Sequence, residues 1–243
     1  MRSIGRAMLA VAAVMSLSGP AIAQITTKPV VELFTSQGCS SCPPADRLLG
    51  ELAKRDDLIA LTFNVDYWDY LGWRDTLGKP EYSQRQRTYA LTRGDGAVYT
   101  PQLVLNGRYH LVGSDRRKIA RALRRIRSRG SVPPARLSVI QKGGMVIIRV
   151  EKAERRLRKN ATVFVAGVVP KITVPIRRGE NRGRKITYHN VVKKLMPIGT
   201  WTGEATEIRV DPAMIMGGKI TSCAVLVQAG DAGPIHAAAW LDR

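Results

Sequence analysis

The apolar positions of this chain change period repeatedly over its first half and hardly at all over its second. Residues 28–34, KPVVELF, form a short β-rich apolar run that gives way to the polar stretch TSQG. In residues 45–55, ADRLLGELAKR, the positions Ala45, Leu48, Leu49 and Leu52 recur at helical spacing. Residues 58–65, LIALTFNV, read as a second buried strand. Residues 80–92, PEYSQRQRTYALT, read as a helix whose proline is tolerated in the first turn. Two β-type runs then flank Asn106-Gly107, a dipeptide suited to a type I′ turn, and predict a hairpin. The next segment, DRRKIARALRRIRSRG, predicts an amphipathic helix capped by Ser114 and stopped by Gly130. Ile119, Ala122, Leu123 and Ile126 line the face that would pack on a sheet, and Arg117, Arg121, Arg125 and Arg129 the face left to solvent.

Two prolines in SVPPAR, residues 131–136, interrupt both periods and mark a boundary. Beyond it, alternating runs such as RLSVIQKGGMVIIRVE, ATVFVAGVV and TSCAVLVQA are separated by turn residues, the pattern of a small antiparallel sandwich. The basic, glycine-containing PIRRGENRGRK, residues 175–185, is expected there as an exposed hairpin loop. The expected organisation is a leader at 1–23, an α/β domain at 24–130, a linker at 131–136 and a β-rich domain at 137–243.

The leader reading rests on Arg2 and Arg6, an apolar stretch from Ala7 to Leu17, and Ala21-Ile22-Ala23 before Gln24. That stretch is short of the roughly 20 residues that span a bilayer, so a signal peptide cleaved near Ala23-Gln24 is expected. It would place the mature chain in the periplasm or outside the cell. No later segment reads as transmembrane. The formal charge of +20 favours anionic neighbours such as an envelope surface of phospholipid or lipopolysaccharide. Export argues against nucleic acid. Charge that merely keeps an exported protein soluble is the plainer reading.

Export also permits disulfides, and Cys39 and Cys42 stand three positions apart in FTSQGCSSCPP. The pair can be a working dithiol, a metal clamp or an inert staple. A helix N-terminus stabilises a thiolate, which is the attacking species in exchange. So small a ring adds little stability, which weakens the staple reading. Pro43 and Pro44 suit a first helical turn. Copper or zinc would need more soft ligands, and only His110, His189 and His236 are available. Cys223 reads as a buried small hydrophobe. In NVDYWDYLGW, Tyr67 and Trp68 sit at the carboxyl end of the second strand, where a ligand groove forms in open α/β sheets. Asp66 and Asp69 form a remoter candidate acid–base pair. No Ser-His-Asp arrangement or phosphate-cradling glycine loop is visible.

The order strand, C-x-x-C at a helix start, strand, helix, Thr-Pro, hairpin, helix resembles the thioredoxin fold. VVELFTSQGCSSCPPADRLL, NVDYWDYLGW, YTPQLVLNGR and VGSD together resemble the exported thioredoxin-like family catalogued as domain of unknown function twelve-twenty-three. The resemblance implies an α/β thioredoxin-like domain followed by a mostly antiparallel β domain. It implies Cys39 as the exposed attacking thiol, Cys42 as the resolving thiol, Pro101 as a cis-proline and Thr100 as a backbone contact for substrate. Glu32 lies close to where thioredoxins carry a buried acid and is the candidate proton relay. Gly38 stands where thioredoxins have tryptophan, and Ser40-Ser41 replaces glycine-proline. Those hydroxyls would contact substrate and stabilise a Cys39 thiolate. The expected activity is thiol–disulfide exchange through the Cys39–Cys42 disulfide, with no separate cofactor and no metal. Its partners would be thiol- or disulfide-containing exported proteins or small thiols. The alternative is a copper-handling or envelope-binding protein on a scaffold with an inert disulfide.

Overall fold

Val30–Thr35 (β1) and Ile59–Asn64 (β2) are buried along their whole length and pair in parallel, from Val30 against Ile59 to Thr35 against Asn64. A strand covered on both faces carries an apolar run rather than an alternation. The computed structural model describes residues 28–129 and 135–241. The expected leader, the expected stop at Gly130 and residues 131–134 of the expected linker lie outside them. Pro43–Leu52 (α1) connects β1 to β2, and Pro80–Arg93 (α2) follows. Gln102–Leu105 (β3) and Tyr109–Val112 (β4) form the expected hairpin, turning at Asn106 and Gly107 with φ of 49° and 65°. Arg116–Arg129 (α3) is capped by Asp115 rather than Ser114, because the Asp115 carboxylate accepts the Lys118 N–H at 2.9 Å.

Seven further strands follow: Leu137–Lys142 (β5), Met145–Val150 (β6), Ala161–Pro175 (β7), Lys185–Trp201 (β8), Thr206–Val210 (β9), Ser222–Ala229 (β10) and Ile235–Leu241 (β11). Four of them extend the first sheet instead of forming one of their own. β8 lies parallel beside β2, and the eight strands run β11-β10-β7-β8-β2-β1-β3-β4. Side chains stitch this seam. The Thr62 hydroxyl donates to the His189 carbonyl at 2.7 Å, and Asn190 Nδ2 donates to the Ala60 carbonyl at 2.9 Å. The remaining strands, β5, β6 and β9, form a three-stranded sheet that covers one face of β7, β10 and β11 around Val163, Trp201 and Val225. The architecture is mixed α/β, dominated by one large sheet. Among the described residues no helix is long and apolar enough to cross a membrane.

Successive β1 side chains point to opposite faces. Val31 and Leu33 pack with Leu48 and Leu49 of α1 and with Ile119 and Leu123 of α3. Val30 and Phe34 pack with Phe63, with Tyr82 and Tyr89 of α2, and with Phe164, Leu226 and Trp240 from beyond the linker. One core therefore draws on both halves of the chain. Each large side chain buried in it contributes about 1.5–3 kcal/mol.

Candidate functional site

β1 ends at Thr35, and residues 36–42 carry the chain into α1. Cys39 and Cys42 form a disulfide with Cα atoms 5.4 Å apart. Cys42 is the N-cap of α1, and Pro43 and Pro44 fill its first turn as expected. Those prolines have no N–H, while the amides of Ala45 and Asp46 both donate to the Cys42 carbonyl. The first turn therefore offers a thiolate the helix dipole but no spare amide from these four residues. The Ser41 hydroxyl lies 3.4 Å from Cys39 Sγ. Ser40 and Ser41 are exposed, whereas Cys42 is fully buried and Cys39 is 4 % exposed. The expectation of an exposed Cys39 is thus corrected.

Two loops account for the covering of residues 37–39. The aromatic segment after β2 lies on one side. Gly38 lacks a side chain where a Cβ would come within 3.0 Å of Trp68 Cβ. Trp68 Nε1 donates to Thr100 Oγ1 at 2.7 Å, and the Thr100–Pro101 bond is cis. Tyr67 packs beside Trp68 and donates to Gln86 Oε1 at 3.1 Å. Burial pushes its hydroxyl up to about 12. The exposed ring of Tyr70 stacks on Trp68. The Trp68–Thr100 bond thus brings the aromatic segment to the cis peptide expected beside the cysteine pair.

The tip of the β7–β8 hairpin closes over residues 37–39 as well. It packs through Val174, Ile176, Ile186 and Tyr188 against Leu77 and Trp73. Asn181 Nδ2 donates to the carbonyls of Gln37 and Cys39 at 2.9 and 2.8 Å, and Glu180 accepts the Ser40 N–H at 3.3 Å. Most of the loop at 175–185 is exposed as expected, including Arg177, Arg178, Arg182 and Arg184, while Asn181 turns inward and is fully buried. A polar side chain can be buried when it satisfies carbonyls that would otherwise lack partners.

Glu32 sits apart from Asp46 and Thr35, on the α2 face of β1. Its carboxylate accepts from Arg85 Nε at 2.9 Å and from the Tyr89 hydroxyl. Arg85 reaches on to Gln228 Oε1 of β10 at 2.8 Å, and Gln228 Nε2 donates to Tyr89 at 2.8 Å. This closed network occupies Glu32. Another acid lies on the α1 face. Asp46 is one helical turn after Cys42 and only 2 % exposed. It accepts from Thr35 Oγ1 at 2.7 Å through Oδ1, while Oδ2 has no hydrogen-bond partner. Burial pushes its carboxyl up to about 8, outweighing the Thr35 hydrogen bond. The i, i+4 spacing of Cys42 and Asp46 was the available signal.

The other candidates are engaged elsewhere. Asp66 accepts from Ser83 Oγ, and Asp69 accepts the Asp75 N–H at 2.9 Å, so they do not act on each other. His110 contacts the Tyr99 hydroxyl and Asp95. Among the described residues no three His, Cys, Asp or Glu side chains gather as a metal site. Cys223 is fully buried in the core shared with the small sheet.

A family model described as protein of unknown function, DUF1223, matches residues 30–228. An X-ray crystal structure of an Agrobacterium tumefaciens protein is similar at 36% identity and a TM-score of 0.78, covering 90% of this chain and 96% of that one. HBP35 of Porphyromonas gingivalis is similar in fold alone, at 13% identity and a TM-score of 0.61, with 91% of this chain and 77% of that chain covered. No curated protein matches. The match over residues 30–228 takes in both the cysteine pair and the hairpin that covers it, and the chain belongs to the DUF1223 family of proteins of unknown function.

Proposed function

We propose that this chain is an exported thiol–disulfide oxidoreductase whose first half is thioredoxin-like and whose reactive group is the Cys39–Cys42 disulfide. In the oxidising direction a substrate thiolate attacks Cys39 Sγ and the bond to Cys42 breaks. Cys42 leaves as a thiolate and takes a proton from Asp46, which solvent later restores. A second substrate thiolate attacks the substrate sulfur of the mixed disulfide and releases the product disulfide, so two electrons enter the protein. In the reducing direction Cys39 attacks a substrate disulfide, Asp46 removes the Cys42 proton, and Cys42 closes the ring. An acid–base group serves both directions best when its pKa lies near the operating pH.

The observation that carries this reading is the buried, half-satisfied Asp46 one turn below the disulfide. A staple needs no such acid, and burying it costs stability. A redox titration of the mature protein, followed by alkylation and mass, is the test. A reversible two-electron transition between about −120 and −270 mV supports exchange, and resistance to reduction below about −300 mV means a staple. Cys39→Ser should abolish exchange.

A further inference from the structure

A groove of about 900 Å³ begins at Ser40, beside the disulfide, and runs between α1 and β8. One wall is a stripe of α1, namely Pro43, Asp46, Arg47 and Gly50, continued by Lys54, residues spaced i, i+3, i+4, i+7 and i+11 that share one helix face. The other wall holds Lys185, Thr187 and His189, alternate residues on one face of β8, with Arg184 at their head. Gly50 lets the walls approach, since a Cβ there would lie 2.6 Å from His189 Nδ1.

Arg47, Lys54, Arg184 and Lys185 all line this groove, and none is in an ion pair among the described residues. Arg184 is aimed by a bond from its Nη1 to Asn181 Oδ1 at 3.0 Å. The carboxylate at the rim, Glu51, is held by Arg116 at 2.6 Å. Two buried polar atoms of the lining, Asp46 Oδ2 and His189 Nδ1, have no hydrogen-bond partner in the protein. Burial, then Lys171 and Lys54, lowers the His189 pKa. The net field in the groove is positive, which concentrates anions.

We infer that this groove binds a small thiol or disulfide carrying several carboxylates and presents its sulfur to Cys39. The inference rests on the oxidoreductase reading and adds a substrate class to it. The volume suits a small molecule. α1 is about 15 Å long, so a ligand with its sulfur at Ser40 and a carboxylate near Lys54 is of tripeptide size. In the reaction with its disulfide, the Cys39 thiolate attacks one sulfur, one thiol leaves with a proton, and Cys42 then displaces the second. The dithiol loses two electrons and the ligand gains them.

The test follows reoxidation of the reduced mature chain by glutathione disulfide and by neutral bis(2-hydroxyethyl) disulfide, each at low and high salt. Glutathione disulfide should react about tenfold faster at low salt, and the ratio should shrink as salt rises. In Lys54→Glu/Lys185→Glu the ratio should fall by about tenfold or more. A ratio near one in the unaltered chain, or a ratio untouched by the double substitution, overturns the substrate class while leaving exchange chemistry standing. Reaction with neither disulfide overturns the oxidoreductase reading together with this inference.

Discussion

Two carboxyl groups are buried on opposite faces of the sheet near β1, and their surroundings could hardly differ more. Glu32, on the α2 face, meets a guanidinium and a phenol, and the same network reaches Gln228 in β10. Asp46, on the α1 face, has one hydroxyl partner, an oxygen without any, and a carboxyl pushed up to about 8 by burial. A fully partnered buried charge is committed to holding two parts of the chain in place. A buried acid with capacity to spare can take or give a proton. Burial alone therefore does not identify a functional acid; the count of its partners does.

Breaking the Glu32 network should have the largest effect on stability. Arg85→Met leaves a buried carboxylate unpaired and should cost about 3–5 kcal/mol in chemical denaturation. Adding Glu32→Gln should recover part of that loss. If exchange per folded molecule fell as far as stability did, the assignment of Glu32 to structure would be wrong.

Asp46→Asn should slow Cys42-dependent exchange about a hundredfold and remove the transition near pH 8 from its rate profile. It should also change stability with pH. The folded-state pKa is raised from the ordinary 3.8 to about 8, so the folded protein holds the proton more tightly than the unfolded one. The contribution is fully present below about pH 4 and is lost as pH rises through about 8. Denaturation from pH 4 to 9 should show that decline in the parent and not in Asp46→Asn.

The cover over the site gives a smaller effect. Asn181→Ala removes two bonds to the carbonyls of Gln37 and Cys39, about 0.5–1.5 kcal/mol each. Reduced Cys39 should then be alkylated several-fold faster, and an unchanged rate would show that the hairpin tip does not limit access. The least effect is expected from Trp68→Phe, which loses the 2.7 Å bond to Thr100 and keeps an aromatic ring between Tyr67 and Tyr70. It should weaken substrate binding by about 1 kcal/mol, seen in KM with kcat little changed.

Much of this was legible in the chain itself, for reasons of local physics. The runs at 28–34 and 58–65, the helical stripe of Ala45, Leu48, Leu49 and Leu52, and the Asn106-Gly107 turn each follow from backbone geometry within a few residues. The pairing of Cys39 with Cys42 is equally local. Which buried acid keeps spare capacity was not, because Glu32 and Asp46 differ in what other residues bring to them: Arg85 and Tyr89 to one, a single Thr35 hydroxyl to the other. The second half showed the same limit. Its alternating pattern fixed which side chains turn inward, since that depends on period alone. It could not say that β8 would lie beside β2, nor that a basic loop at 176–184 would bury Asn181 over the cysteines. Those outcomes depend on which carbonyls and apolar faces remain unsatisfied once all the elements have formed. Only the tertiary structure settles that.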